Sequence, residues 1–230
     1  MSPVPRRRPA LDRGARAGLA PSDTEGMRYA TAVRRLRTVA DSCTRALVLS
    51  TEPPLAAAYV FGPVLDEPGN DVEVVQVAFV LDVPAADLPW GVEPPACSAL
   101  AERLGVTRAP VHRVWRSADR HVTNHMIRRP LRIWSLAGVD EAALDALVHQ
   151  QAEPLREDDP APAQAHAQRE SERAESLTHL MEIRDRYHDP DWRRRHRSAG
   201  QPPETYLWSA LDGFLELEGV TTPRSRGTQE

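Results

Sequence analysis

The stretch from Val72 to Leu81 (VEVVQVAFVL) most constrains what this chain can fold into. It is nearly all β-branched or apolar, and it is far shorter than the ~20 apolar residues that a membrane span needs. Alternate residues of a strand point to opposite faces, so a run that is apolar on both faces suits an interior strand covered on both sides. The rest of the chain has to supply the strands beside it and the layers above and below.

The flanking sequence contains both. Tyr29, Val33, Leu36, Ala40, Cys43 and Leu47 recur every three or four residues, the period of an amphipathic helix of about six turns. Pro53-Pro54 stops it, and Leu55 to Phe61 reads as a buried strand. Gly62-Pro63 breaks that strand, and Glu67-Pro-Gly-Asn70 is turn chemistry. After an irregular proline-rich connection (DVPAADLPWGVEPPAC), Ser98 to Leu104 reads as a short helix closed by Gly105. Pro110 to Arg116 and Leu131 to Ser135 alternate apolar and polar residues, as strands with one wetter face do. Val139 to His149 is a helix, and 156–168 a charged Pro/Ala-rich linker. A long helix beginning at Leu177, a short one opening at Pro190 and a last one over Tyr206 to Leu217 follow.

This order predicts an α+β fold, a small mixed sheet of about four strands flanked by helices. The expected organisation is a disordered N-terminal extension (1–26), an α+β domain (27–155), the linker, a C-terminal helical region (169–219) and a disordered tail (220–230). Met27 is a candidate translation start.

Composition narrows the chemistry. The formal charge of −4 argues against wholesale polyanion binding, though not against a local basic patch. All 29 basic residues are arginine, which excludes lysine Schiff-base and P-loop lysine mechanisms. Cys43 and Cys97 form no CxxC motif, and Cys43 lies on the apolar face of the first helix, as a reduced core thiol would. Arg6, Arg7 and Arg8 precede no apolar h-region, so no secretory signal is read; the expected location is cytoplasmic, with no membrane association.

Residues 59–79 (YVFGPVLDEPGNDVEVVQVAF) carry a motif. A strand, Gly62 with a small residue, a turn, and then Asp71-Val72-Glu73 resembles the minimal nucleotidyltransferase family over about residues 55–82. The resemblance implies a nucleotidyltransferase-like scaffold with Gly62 beside nucleotide phosphates and Asp71 and Glu73 as ligands of Mg²⁺. Residues two apart on a strand share a face, so both carboxylates could meet one hard cation. Arg113 and Trp115 would wall the cleft, making Arg113 a second nucleotide-binding candidate. Three departures make the site degenerate. Pro63 stands where the family has serine and supplies neither hydroxyl nor N–H; only seven residues separate Pro63 from Asp71; and the next strand offers no third carboxylate. The segments LPWGVEPPAC and RPLRIWSL further resemble an uncharacterised actinobacterial family of unknown function, over roughly residues 27–217.

Two other groupings stand out. His121 and His125 would share a helix face, but two ligands without the glutamate of an HExxH site do not make a zinc centre. Arg193, Arg194, Arg195 and Arg197, in WRRRHR, form the densest basic cluster and could contact phosphates while Trp192 or Tyr187 stacks on a base; Glu172, Glu175 and Glu182 would balance the cluster if it is only a solvated face. Trp90 is the tryptophan placed to line a cleft. The leading expectation is a non-catalytic binding or interaction module on the degenerate scaffold, its partner a protein or a nucleotide. The alternatives are an active Mg²⁺-dependent nucleotidyltransferase using Asp71 and Glu73, and nucleic-acid binding through the arginine cluster.

Overall fold

The computed structural model describes residues 26–49, 54–108 and 110–220. The expectations for the N-terminal extension and the tail therefore lie almost wholly outside the described residues. The fold is α+β, with seven helices and one open, mixed, five-stranded sheet. The strands are β1 (Leu55–Phe61), β2 (Val75–Leu81), β3 (Val111–Ser117), β4 (Leu131–Ser135) and β5 (Gly138–Val139). Their order is β3-β2-β1-β4-β5; β2 and β3 are parallel and every other pair is antiparallel.

A parallel pair needs a crossover, because the chain must return to the starting edge. Here α3 (Pro95–Leu104) makes it, ending at Gly105 in the left-handed region with φ 70°. Helices α1 (Tyr29–Val48) and α4 (Glu141–Val148) cover the same sheet face as α3. Val75, Val77, Phe79 and Leu81 point into this layer with Leu36, Cys43, Leu100, Leu144 and Trp134. Trp134 lies under α1 and donates its indole N–H to Thr44 Oγ1 at 2.9 Å. Both cysteines are buried and free, and burial pushes each thiol up to about 12, as inert core thiols.

The opposite face presents Ala57, Phe61, Ala78 and Val80, covered by Trp90, Val122, Ile127 and Leu217. Leu217 ends α7 (Pro203–Leu217), which runs beside α5 (Pro162–Arg186), with α6 (Pro190–Ser198) between them in sequence. Where α7 crosses the proline-rich connection the two backbones touch: a Cβ on Gly213 would lie 2.3 Å from the Trp90 carbonyl oxygen. Only glycine permits that approach. Val92, Ile183, Trp192, Tyr206 and Ala210 form a third, smaller apolar cluster among these helices.

Several boundaries differ from the sequence reading. The interior strand begins at Val75, not Val72; Val72 makes only an isolated bridge to Met27. Gly62-Pro63 does not merely end β1: it opens a one-turn helix, α2 (Pro63–Asp66), with Pro63 at its first position. Val139 belongs to β5, and α4 begins after Asp140, whose carboxylate caps it by accepting from the Ala143 N–H at 3.0 Å. The linker read over 156–168 is helical from Pro162 onward, and its first residues are tied down by Arg156, which bonds the carbonyl oxygen of Arg129 and the carboxylate of Asp66.

Candidate functional site

Gly62 has φ 72° and ψ −148°, a conformation essentially restricted to glycine. The space beside its Cα is filled. A Cβ built there would lie 2.2 Å from Oε1 of Gln76, which sits opposite Phe61 in the β1–β2 register. The backbone that the resemblance assigns to phosphates is thus covered by a side chain of the neighbouring strand.

Asp71 and Glu73 do not lie on β2. They precede it, exposed, on either side of the Val72 bridge, so the alternation that would aim both carboxylates at one cation does not operate. Among the described residues no group of three or more His, Cys, Asp or Glu side chains is placed to hold a metal ion. A Mg²⁺ ion held by this pair would take its remaining oxygen ligands from water or substrate.

Arg113 and Trp115 line a cavity whose lining does not include Gly62, Asp71 or Glu73. The cavity, about 220 Å³, is lined by Trp90, Glu93, Arg113, Trp115 and Met126, with Gln76 at its floor and α7 along one side. Glu93, from the proline-rich connection, takes the Arg113 fork with both oxygens, at 2.8 and 3.0 Å. It also accepts from the Trp115 indole at 3.2 Å and the Ser98 hydroxyl at 3.0 Å. Such two-point pairs fix geometry as well as charge. Trp90 donates its indole N–H to Glu216 of α7 at 2.9 Å.

Behind Trp90 lies a buried polar layer that sequence reasoning missed. Arg116 of β3 and Glu172 of α5 are 3% and 1% exposed and meet at 2.7 Å. Arg116 also donates to the His121 carbonyl and lies over the Trp90 ring, 5.6 Å from its centroid. Burial pulls the Arg116 guanidinium below its usual range, against the pull of Glu172. Arg120 is held by Glu175 at 2.7 Å. Glu172 and Glu175 therefore serve β3 and the turn after it, not the α6 arginines they were expected to balance. No signal in the sequence joins these residues, which are more than fifty positions apart.

His121 and His125 fall in an irregular segment between β3 and β4, not on a helix; His121 is exposed and His125 half-buried. The His125 ring packs edge-on to Trp90 with centroids 5.1 Å apart, and neither nitrogen has a hydrogen-bond partner among the described residues.

The arginine cluster is divided by α6. Arg193 pairs with Glu204 and Arg194 with Asp191, whereas Arg195 and Arg197 are exposed and make no ion pair among the described residues. Arg195 instead borders a pocket with Arg186 of α5 and His196.

The family model described as Domain of unknown function (DUF7711) matches residues 27–223. The chain belongs to that family. No curated protein and no solved structure matches it. The family match spans the sheet and all three C-terminal helices, so the buried Arg116–Glu172 layer lies inside one family unit. Among the described residues no helix is long and apolar enough to cross a membrane.

Proposed function

We propose that this chain is a non-catalytic binding module, its scaffold resembling the minimal nucleotidyltransferases and its nucleotide cradle filled by its own side chains. The observation that carries this reading is the Gln76 amide packed on Gly62. A phosphate seated on that backbone would have to displace it. The Arg113 charge is already matched by Glu93, and α2, one turn long, opens with a proline that has no N–H to offer an anion. The cavity mixes apolar side chains (Phe61, Trp90, Trp115 and Met126) with polar ones (Gln76, His112 and Glu216) beside the Arg113–Glu93 pair. That chemistry suits a side chain of a protein partner with an apolar body and a polar tip.

Thermal unfolding tests the reading. Mg²⁺ should leave the midpoint unchanged, alone or added to a nucleoside triphosphate, and Asp71→Asn should respond as the parent does. A ligand that binds only the folded state must stabilise it by mass action. A rise of several degrees that requires Mg²⁺ with nucleotide and vanishes in Asp71→Asn would replace this reading with the active nucleotidyltransferase.

A further inference from the structure

The C-terminal helices border a pocket of about 280 Å³ that shares no residue with the Arg113 cavity. His179, Glu182 and Arg186 reach it from α5, Arg195 and His196 from α6, and Tyr206 from α7. Two of its arginines, like Arg197 outside it, lack a carboxylate partner among the described residues. Arg184, Arg193 and Arg194 each pair with a carboxylate. Arg186 makes no ion pair among the described residues, and Arg195 has only a 3.4 Å bond to the Asp191 carbonyl. Two guanidinium groups without carboxylate partners thus border the pocket, against the single carboxylate of Glu182, which is 3.8 Å from His179.

The wall between them is built rather than incidental. His196 is 7% exposed, its ring lodged between Trp192 (centroids 4.2 Å apart) and Tyr206 (4.4 Å). Its Nδ1 is buried without a partner among the described residues, an unmet requirement that native interiors rarely leave. His179 Nε2 lies 3.1 Å from the Tyr206 hydroxyl, which orients that ring. Burial lowers the His196 pKa, and Arg195, Arg186 and His179 lower it further, so the positive field of the arginines is felt inside the pocket.

We propose that this pocket binds a phosphate-sized oxyanion, with Arg186 and Arg195 supplying charge-assisted hydrogen bonds and His196 a ring N–H. The guanidinium fork matches the spacing of phosphate oxygens, and an anion between the two arginines would relieve their mutual repulsion. Free phosphate and the phosphate of a larger organic molecule share the recognising chemistry. The site uses neither Gly62 nor any residue of the Arg113 cavity, so it stands or falls separately from the function proposed above.

The test titrates the full-length protein with inorganic phosphate, and separately with a nucleoside 5′-monophosphate, at constant ionic strength set with chloride. It reads binding heat and the NMR resonances of the histidine rings. Phosphate should shift His196 and His179 and raise the His196 pKa. Arg186→Gln and Arg195→Gln should each weaken binding about tenfold or more, while Arg194→Gln, at a position outside the pocket, should not. Equal affinity for both probes would assign a free-phosphate site; tighter binding of the nucleotide would assign a phosphorylated organic ligand. Unmoved histidine resonances in the parent protein at millimolar phosphate would overturn the proposal, whatever the variants do. So would a response that persists unchanged in both arginine variants.

Discussion

The guanidinium of Arg116 on β3 meets the carboxylate of Glu172 on α5 at 2.7 Å, both side chains almost completely removed from water. The contact joins the C-terminal helices to the sheet across what the sequence suggests is a linker between separate parts. Desolvating two charges offsets most of their attraction, so such a pair adds little net stability, whereas losing one partner strands the other. Glu172→Leu or Arg116→Met alone should therefore cost about 3–5 kcal/mol. The double variant Arg116→Met/Glu172→Leu should recover most of that loss, because Arg120 keeps Glu175. Urea unfolding of the four proteins measures the cycle; additive losses would show that the two side chains act independently.

Phe79 is fully buried on the helix-covered face of β2, its ring centroid 5.3 Å from that of Trp115. Phe79→Ala should open a cavity that neighbouring strands cannot close, at a cost of about 3–5 kcal/mol. A loss below about 1 kcal/mol would mean that the surrounding layer collapses around the site, contrary to the close packing of interiors.

The Gly62–Gln76 contact is also separable. Gly62→Ala meets both an unfavourable backbone conformation and the Gln76 amide. The backbone part alone costs on the order of 1–3 kcal/mol. Gln76→Ala in the same chain should remove the steric part and return some stability, leaving the backbone cost. If Gln76→Ala gives no recovery, the amide moves aside freely, and the cradle is less firmly filled than proposed.

Local grammar was readable where propensity and punctuation agree. Leu55 to Phe61 and Leu131 to Ser135 emerge with their observed bounds because apolar or alternating runs end at Gly62 and Ser135. The start of β2 was misplaced because Val72, Val74 and Glu73 continue the strand-like pattern, while the partner strands pair only from Val75. Strand β5 has two residues and so no period to detect. Residues 162–168 of α5 read as linker because they are Pro/Ala-rich and almost wholly exposed, and the turns that follow bury Glu172 and Ser176 where an amphipathic helix would bury apolar side chains. A face recognised through an ion pair leaves no hydrophobic periodicity. For the same reason the pocket around His196 was visible only as a run of arginines; which of them lack carboxylate partners depends on helix packing.

Stability should fall between neutral and mildly acidic pH, and His125 should contribute to the fall. Its pKa is held below the ordinary imidazole value of 6.5, chiefly by burial, with Arg169 and Arg116 lowering it further and Glu172 and Glu216 opposing them. The folded state therefore takes up the proton less readily than the unfolded chain. As pH drops through 6.5 the unfolded chain binds more protons, and stability declines until the folded ring is protonated too. His179 and His196, also lowered by burial, act in the same direction. The paired carboxylates act in a different window. Asp159, lowered first by its hydrogen bond to Arg128, contributes stability above its unfolded value of 3.8 and loses it as pH falls through its folded value. Denaturant midpoints measured from about pH 7.5 down to about pH 5 thus isolate the histidines. The parent protein should lose stability across that range, and His125→Gln should lose less, with a shallower slope whatever its stability at neutral pH. An equal slope in the variant would show that His125 titrates alike in both states, and that its buried nitrogens find hydrogen-bond partners in water.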